Sequence, residues 1–172
     1  MFRIAQERDI DRIAEIYGHI HDSEEAGQAV VGWKRTIYPT RGTAEEAVAR
    51  GEMYVEEDGG TVVAAGRLNQ RQEEAYASGG WRFDAPEQAV MVLHTLVVDP
   101  ACKGRQYGTR FVEFYEQYAA SRGCSCLRID TNEKNAAARA FYKRLGFREA
   151  GVVPCCFNGL PGVRLVLLEK KL

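Results

Sequence analysis

At 172 residues, 45% of them hydrophobic, the chain has the length of one compact domain and enough apolar mass to fill a core. Its 23 Lys and Arg nearly balance 24 Asp and Glu, and a net charge of -1 provides no field to gather nucleic acid or an anionic membrane. Any anionic ligand must therefore be held locally. The five cysteines, Cys102, Cys124, Cys126, Cys155 and Cys156, form no C-x2-C pair and read as reduced, mostly buried thiols rather than a metal site. Met1 to Ile13 is charged at Arg3, Glu7, Arg8, Asp9, Asp11 and Arg12 and lacks the apolar run of a secretory signal. The longest apolar stretch, Ala89 to Val98, is about half the ~20 residues a membrane-crossing helix needs. The expectation is a single cytoplasmic domain over residues 1–172, with no membrane or nucleic-acid partner and no metal.

In chain order, Phe2 to Ala5 predicts a short strand, and Ile10, Ile13, Ile16, Tyr17 and Ile20 recur at helical intervals. Thr43 with Glu46 has the form of a capping box and predicts a helix over Ala44 to Arg50, ending at Gly51. Met53 to Glu56 and Thr61 to Leu68 flank Asp58-Gly59-Gly60 and predict an antiparallel hairpin. Asn69 to Gln88 has no period and predicts a long loop. Ala89 to Val98 reads as a central strand covered on both faces. A polar Gly-containing loop follows Asp99-Pro100, then a helix carrying Phe111, Phe114, Tyr115, Tyr118 and Ala119. Cys124 to Asp130 is a strand, Asn135 to Leu145 a helix capped at Gly146, and Phe147 to Cys156 and Val163 to Lys170 close the chain as strands.

The stretch from His94 to Phe147 carries three spaced elements. Leu96, Val98 and Pro100 form L-x-V-x-P, Lys103 to Gly108 form a Gly-containing loop that opens a helix, and Asn135, Ala138 and Tyr142 form N-x-x-A-x-x-x-Y, followed by Gly146 and Phe147. In this order they resemble the GNAT superfamily of acyl-CoA-dependent N-acyltransferases, closely over about a third of the chain. The resemblance implies an α/β GNAT fold: a mixed, twisted central sheet flanked by helices, its central strands splaying beyond Val98 to admit the cofactor. It also implies acetyl-CoA as acyl donor and an amine as acceptor, and leaves room for a homodimer.

The loop Lys103, Gly104, Arg105, Gln106, Tyr107, Gly108 and Thr109 would present backbone N–H groups at a helix N-terminus, where a pyrophosphate is well placed, with Lys103, Arg105 and Arg110 adding local charge. It departs from the family pattern Q/R-x-x-G-x-G/A: Lys103 takes the first position and Gln106 replaces the first Gly, putting a Cβ where positive φ and close ligand approach are easier without one. Tyr142 lies one turn after Ala138 and two after Asn135, on one helix face. The resemblance gives Tyr142 the role of general acid to the departing thiolate, with activity declining as the phenol ionises at high pH. Asn135 is either a helix cap or a hydrogen-bond partner of the coenzyme A arm.

His94, in an otherwise apolar strand, needs a partner or a task. H-T-L-V-V is similar to the H-x-L-x-V strand of arylalkylamine N-acetyltransferases, where a histidine takes part in proton removal, and Asp130 is the rival base. The resemblance also assigns backbone groups of Leu96, Val97 and Val98 to the pantetheine arm and the thioester carbonyl. In the long loop, Glu73, Glu74, Tyr76, Trp81, Phe83 and Asp84 could hold a cationic amine by charge and cation–π contact. Direct transfer in a ternary complex is the expected route, and a non-catalytic acyl-CoA-binding module with the same fold is the alternative.

Overall fold

The computed structural model describes residues 1–172. Seven strands and four α-helices make up an α/β chain in the order β1 (Phe2–Ile4), α1 (Ile10–Glu25), α2 (Arg41–Ala49), β2 (Met53–Asp58), β3 (Thr61–Asn69), β4 (Val90–Val98), α3 (Tyr107–Ser121), β5 (Cys126–Asn132), α4 (Ala136–Arg144), β6 (Arg148–Phe157) and β7 (Leu160–Lys171). The strands form one mixed sheet in the order β1-β2-β3-β4-β5-β7-β6. By their contacts the residues group into two compact units: Met1–Ala29, Trp33–Leu68 and His94–Tyr115 in the first, Val30–Gly32, Asn69–Leu93 and Glu116–Leu172 in the second.

The first unit is built on antiparallel strands. β1 pairs with β2 from Phe2↔Glu56 to Ile4↔Tyr54, and β2 with β3 from Met53↔Arg67 to Asp58↔Thr61. Gly59 and Gly60 take φ of 57° and 80°, the left-handed pair that a tight two-residue hairpin turn demands. The helical period of α1 puts Ile13, Ile16 and Tyr17 on one buried face, packed with Ala44 and Ala47 of α2 and with Met53, Val55, Val62, Ala65 and Val97 of the strands. Burying an Ile side chain there contributes about 1.5–3 kcal/mol. The cap of α2 differs from the sequence expectation: the helix starts earlier, with Thr40 as N-cap, and Thr40 N donates to Thr43 Oγ1 at 3.0 Å.

In the second unit β4 and β5 run parallel from Val90↔Cys126 to Leu93↔Ile129, and β5 pairs antiparallel with β7 from Cys126↔Lys171 to Asn132↔Leu165. β6 and β7 close it as an antiparallel hairpin whose turn residues Asn158 and Gly159 take φ of 49° and 79°. Val90, Val92, Cys126, Val153, Leu165 and Leu167 form its core together with Tyr76. Of the five cysteines only Cys124 and Cys126 are buried; Cys102 and Cys155 are half-buried and Cys156 is exposed, fewer buried thiols than the sequence suggests. They alternate between faces of strands or lie in loops, and polarity alone does not reveal which. No helix is long and apolar enough to cross a membrane.

Candidate active site

The sequence-predicted residues fall into two groups, one in each compact unit. In the first, β4 carries His94 to Val98 and the following loop enters α3. The strand is not regular there: Thr95 has φ 53°, an outlier for a β-branched residue, and the Tyr38 hydroxyl is hydrogen-bonded to Thr95 Oγ1. His94, half-buried, is the residue immediately before this break. The apolar run predicts a regular strand, and neither the positive φ of Thr95 nor its contact with Tyr38, remote in sequence, is marked in it.

Asp99, 2% exposed, anchors the entrance to the α3 loop. Its Oδ1 accepts from Ala101 N at 3.0 Å and lies 3.2 Å from His19 Nδ1, while Arg12 grips Oδ2. Burial works to raise the Asp99 pKa, but the Ala101 amide, Arg12 and His19 together hold it below the ordinary carboxylate range. Beyond this anchor, Gly104 has φ 83° and Gln106 φ 59°, after which α3 begins at Tyr107. Gln106 thus takes the left-handed turn that glycine would take, and its carbonyl accepts from Arg110 N at 3.0 Å. The substitution at Gln106 leaves the loop its turn. The amides that follow, at Tyr107, Gly108 and Thr109, lie in the first helical turn, where no preceding helical carbonyl can pair them, so the loop fits a phosphate-bearing group.

Two side chains of this loop serve the fold. The buried Tyr107 hydroxyl donates to Asp58, and Arg110 stacks over the Tyr107 ring at 4.5 Å while its guanidinium binds Glu56, with Nε at 2.7 Å. Arg110 is therefore committed to Glu56, and local charge for an anion rests on the exposed Lys103 and Arg105. Replacing Gln106 by Gly should relieve roughly 1–2 kcal/mol of left-handed strain while returning about 0.5–1 kcal/mol to the unfolded chain. The expected outcome for Gln106→Gly is a melting temperature higher by about 1–4 °C; a lower one would mean that the Gln106 side chain holds the loop.

The second group sits at the C-terminal end of β5 and on α4. Leu127 and Ile129 are buried in the sheet, and Asp130 follows them where the strand leaves its parallel neighbour's register. The Tyr76 hydroxyl donates to Asp130 Oδ2 at 2.7 Å. Loss of hydration pushes the Asp130 carboxyl up to about 7; the Tyr76 hydrogen bond works against this and the negative charge of Glu73 adds to it. Asn135 caps α4, its Oδ1 accepting from Ala138 N at 3.0 Å, so the cap is real and only its amide NH2 remains for another partner. One face of α4 then carries half-buried Ala138 and Tyr142, whose ring lies 5.1 Å from Phe141 and 5.7 Å from Phe147. Tyr142 is 7% exposed and its hydroxyl makes no hydrogen bond to the protein. Burial first, and the charge of Asp130 second, raise its pKa, so the phenol stays protonated.

The long loop departs from its expected role as an amine holder at two residues. Tyr76 is buried with its hydroxyl on Asp130, and the Trp81 ring is covered by the Arg128 guanidinium at 4.0 Å. Nothing local in the sequence marks Tyr76, since its partner lies 54 residues away.

The Acetyltransferase (GNAT) family profile matches residues 11–147, and the chain belongs to this family. Two curated relatives are an uncharacterized N-acetyltransferase of Methanocaldococcus jannaschii, 36% identical over 42% of this chain and 32% of its own length, and the uncharacterized N-acetyltransferase YhfO of Bacillus subtilis, 31% identical over 40% and 47%. The matches thus span about a third to a half of those relatives. Among solved structures, a GNAT-family acetyltransferase of Streptococcus agalactiae is 23% identical with a TM-score of 0.83, covering 100% of this chain and 95% of that one. The structure of yncA from Salmonella typhimurium, solved with its cofactor acetyl-CoA, is 20% identical with a TM-score of 0.66 over 99% and 92%. These likenesses establish the GNAT fold.

Proposed function

We propose that the chain is an acetyl-CoA-dependent N-acetyltransferase that acetylates a primary amine by direct attack in a ternary complex. The observation that carries this reading is Tyr142: a buried phenol, kept protonated by its surroundings, with no protein partner for its hydroxyl, one turn beyond Ala138 on a helix capped by Asn135.

Bound acetyl-CoA would supply the activated acetyl thioester. Its phosphates would be held by the amides of Lys103 to Thr109, and its arm by backbone groups of Leu96, Val97 and Val98 and by Asn135 and Ala138, as the family resemblance assigns. Tyr142 holds the proton that a departing thiolate requires. Asp130, poised between its two protonation states near neutrality, can accept the proton that an attacking amine sheds. His94 remains the second candidate for that step. Tyr76 favours Asp130, because a carboxylate fixed by a hydrogen bond is already aimed.

Acetyl-CoA should raise the melting temperature, since a ligand at 100 times its Kd stabilises the native state by about 2.7 kcal/mol. No shift at millimolar concentration would overturn the cofactor assignment. Release of free coenzyme A across a panel of small-molecule amines, polyamines and peptide N-termini then tests catalysis. A melting shift without turnover on any amine would favour the non-catalytic acyl-CoA-binding module.

A further inference from the structure

The segment between β3 and β4 is an arm fixed to the second unit at several points. Glu169, 0% exposed, accepts from Arg82 N at 2.8 Å and Phe83 N at 3.2 Å and also binds Arg148. Arg128 stacks on Trp81 and is hydrogen-bonded to Gln72, and Trp81 Nε1 donates to Tyr76 O at 2.7 Å. The arm passes so close to β6 that a Cβ at Gly80 would stand 2.6 Å from Ala150 O. These attachments surround one short turn, Glu74–Ser78, which carries Tyr76. Its ring is 2% exposed and lies 5.3 Å from Trp81, and its hydroxyl reaches Asp130.

We propose that Tyr76 is a positioning residue for the acetyl transfer: held by this arm, it donates a hydrogen bond that keeps the Asp130 carboxylate ionised and aimed. The inference deepens the reading of Asp130 as base and rests on it. A hydroxyl that donates to a carboxylate stabilises the charged form. Tyr76 thereby offsets part of the two influences that favour the protonated form, loss of hydration and the nearby charge of Glu73. The charge of Asp130 in turn raises the pKa values of Tyr142 on α4 and Cys155 on β6. Both are neutral at pH 7, and the Tyr76 hydroxyl is a donor that offsets part of the cost of this half-buried charge. A loop tyrosine that only filled the core would not affect the ionisation of Asp130.

The test is Tyr76→Phe, which keeps the buried ring. The acidic limb of kcat/KM should move to higher pH by about half a unit or more, with kcat on the alkaline plateau nearly retained. In parallel, the carboxyl titration of Asp130, followed by carbon-13 NMR and assigned by its loss in Asp130→Asn, should move the same way in protein without substrate. Trp81→Phe, which loses the bond to Tyr76 O and weakens the stacking with Arg128, should show a smaller shift of the same sign and serves if Tyr76→Phe does not fold. An Asp130 titration unchanged in a folded variant overturns the inference. Full activity of Asp130→Asn would instead sink the base assignment, and the NMR titration would still decide whether Tyr76 controls Asp130.

Discussion

Tyr142→Phe is expected to lower kcat roughly 10- to 1,000-fold while leaving acetyl-CoA affinity nearly unchanged, the loss that follows removal of a positioned general acid. Phenylalanine keeps the ring contacts with Phe141 and Phe147. The hydroxyl it removes makes no protein hydrogen bond, so melting temperature should hold or rise slightly. The two readouts therefore separate catalysis from packing: a fall in stability with kcat intact would make Tyr142 structural. The pH profile corrects the expectation drawn from the phenol alone. Because burial and Asp130 raise the pKa of Tyr142, the decline caused by its ionisation is displaced above the ordinary phenol range. Full activity of the variant, with chemistry limiting turnover, would remove Tyr142 from the mechanism.

Asp130→Asn carries the other large effect. A base must be ionised, so kcat/KM should rise with pH through the Asp130 value of about 7. The variant should lose that limb and about 100- to 10,000-fold in rate. If His94→Ala removes the limb instead, the base is His94. Stability should move in the opposite direction to activity. Folding raises the Asp130 pKa from 3.8 to about 7, so the native state binds this proton more tightly than the unfolded chain. The resulting stability is fully present below pH 4 and declines as pH rises through 7, by up to about 4 kcal/mol. Asparagine has no such dependence. Its stability relative to the parent should increase between pH 4 and 8, and parallel curves would show that folding does not raise the Asp130 pKa.

Much of the fold was legible because its signals are local. The period of Ile13, Ile16 and Tyr17, the turn at Asp58-Gly59-Gly60 and the cap at Asn135 each lie within a few residues. The candidate motif residues were legible for the same reason. What escaped is what forms across the chain. Thr95 adopts a left-handed conformation against its own strand propensity, and the Tyr38 hydroxyl that meets it lies 57 residues away. Arg110 looked like a ligand for anions because its Glu56 partner stands 54 residues away. Tyr76 read as an amine contact because aromatic and acidic residues in a loop carry no mark of which will turn inward. Gln106 shows the converse: a position flagged by composition keeps the expected backbone, at a cost in strain.

The chain has two tryptophans, and each compact unit holds one. Trp33 stands edge-on to Tyr38 at 6.0 Å in the first unit, and Trp81 lies beneath Arg128 in the second. Each indole is thus an intrinsic optical label for a different part of the molecule. With either one replaced by phenylalanine, the emission of the other follows its own unit alone during denaturation, and coincidence of the two curves measures how far the molecule melts as one cooperative body.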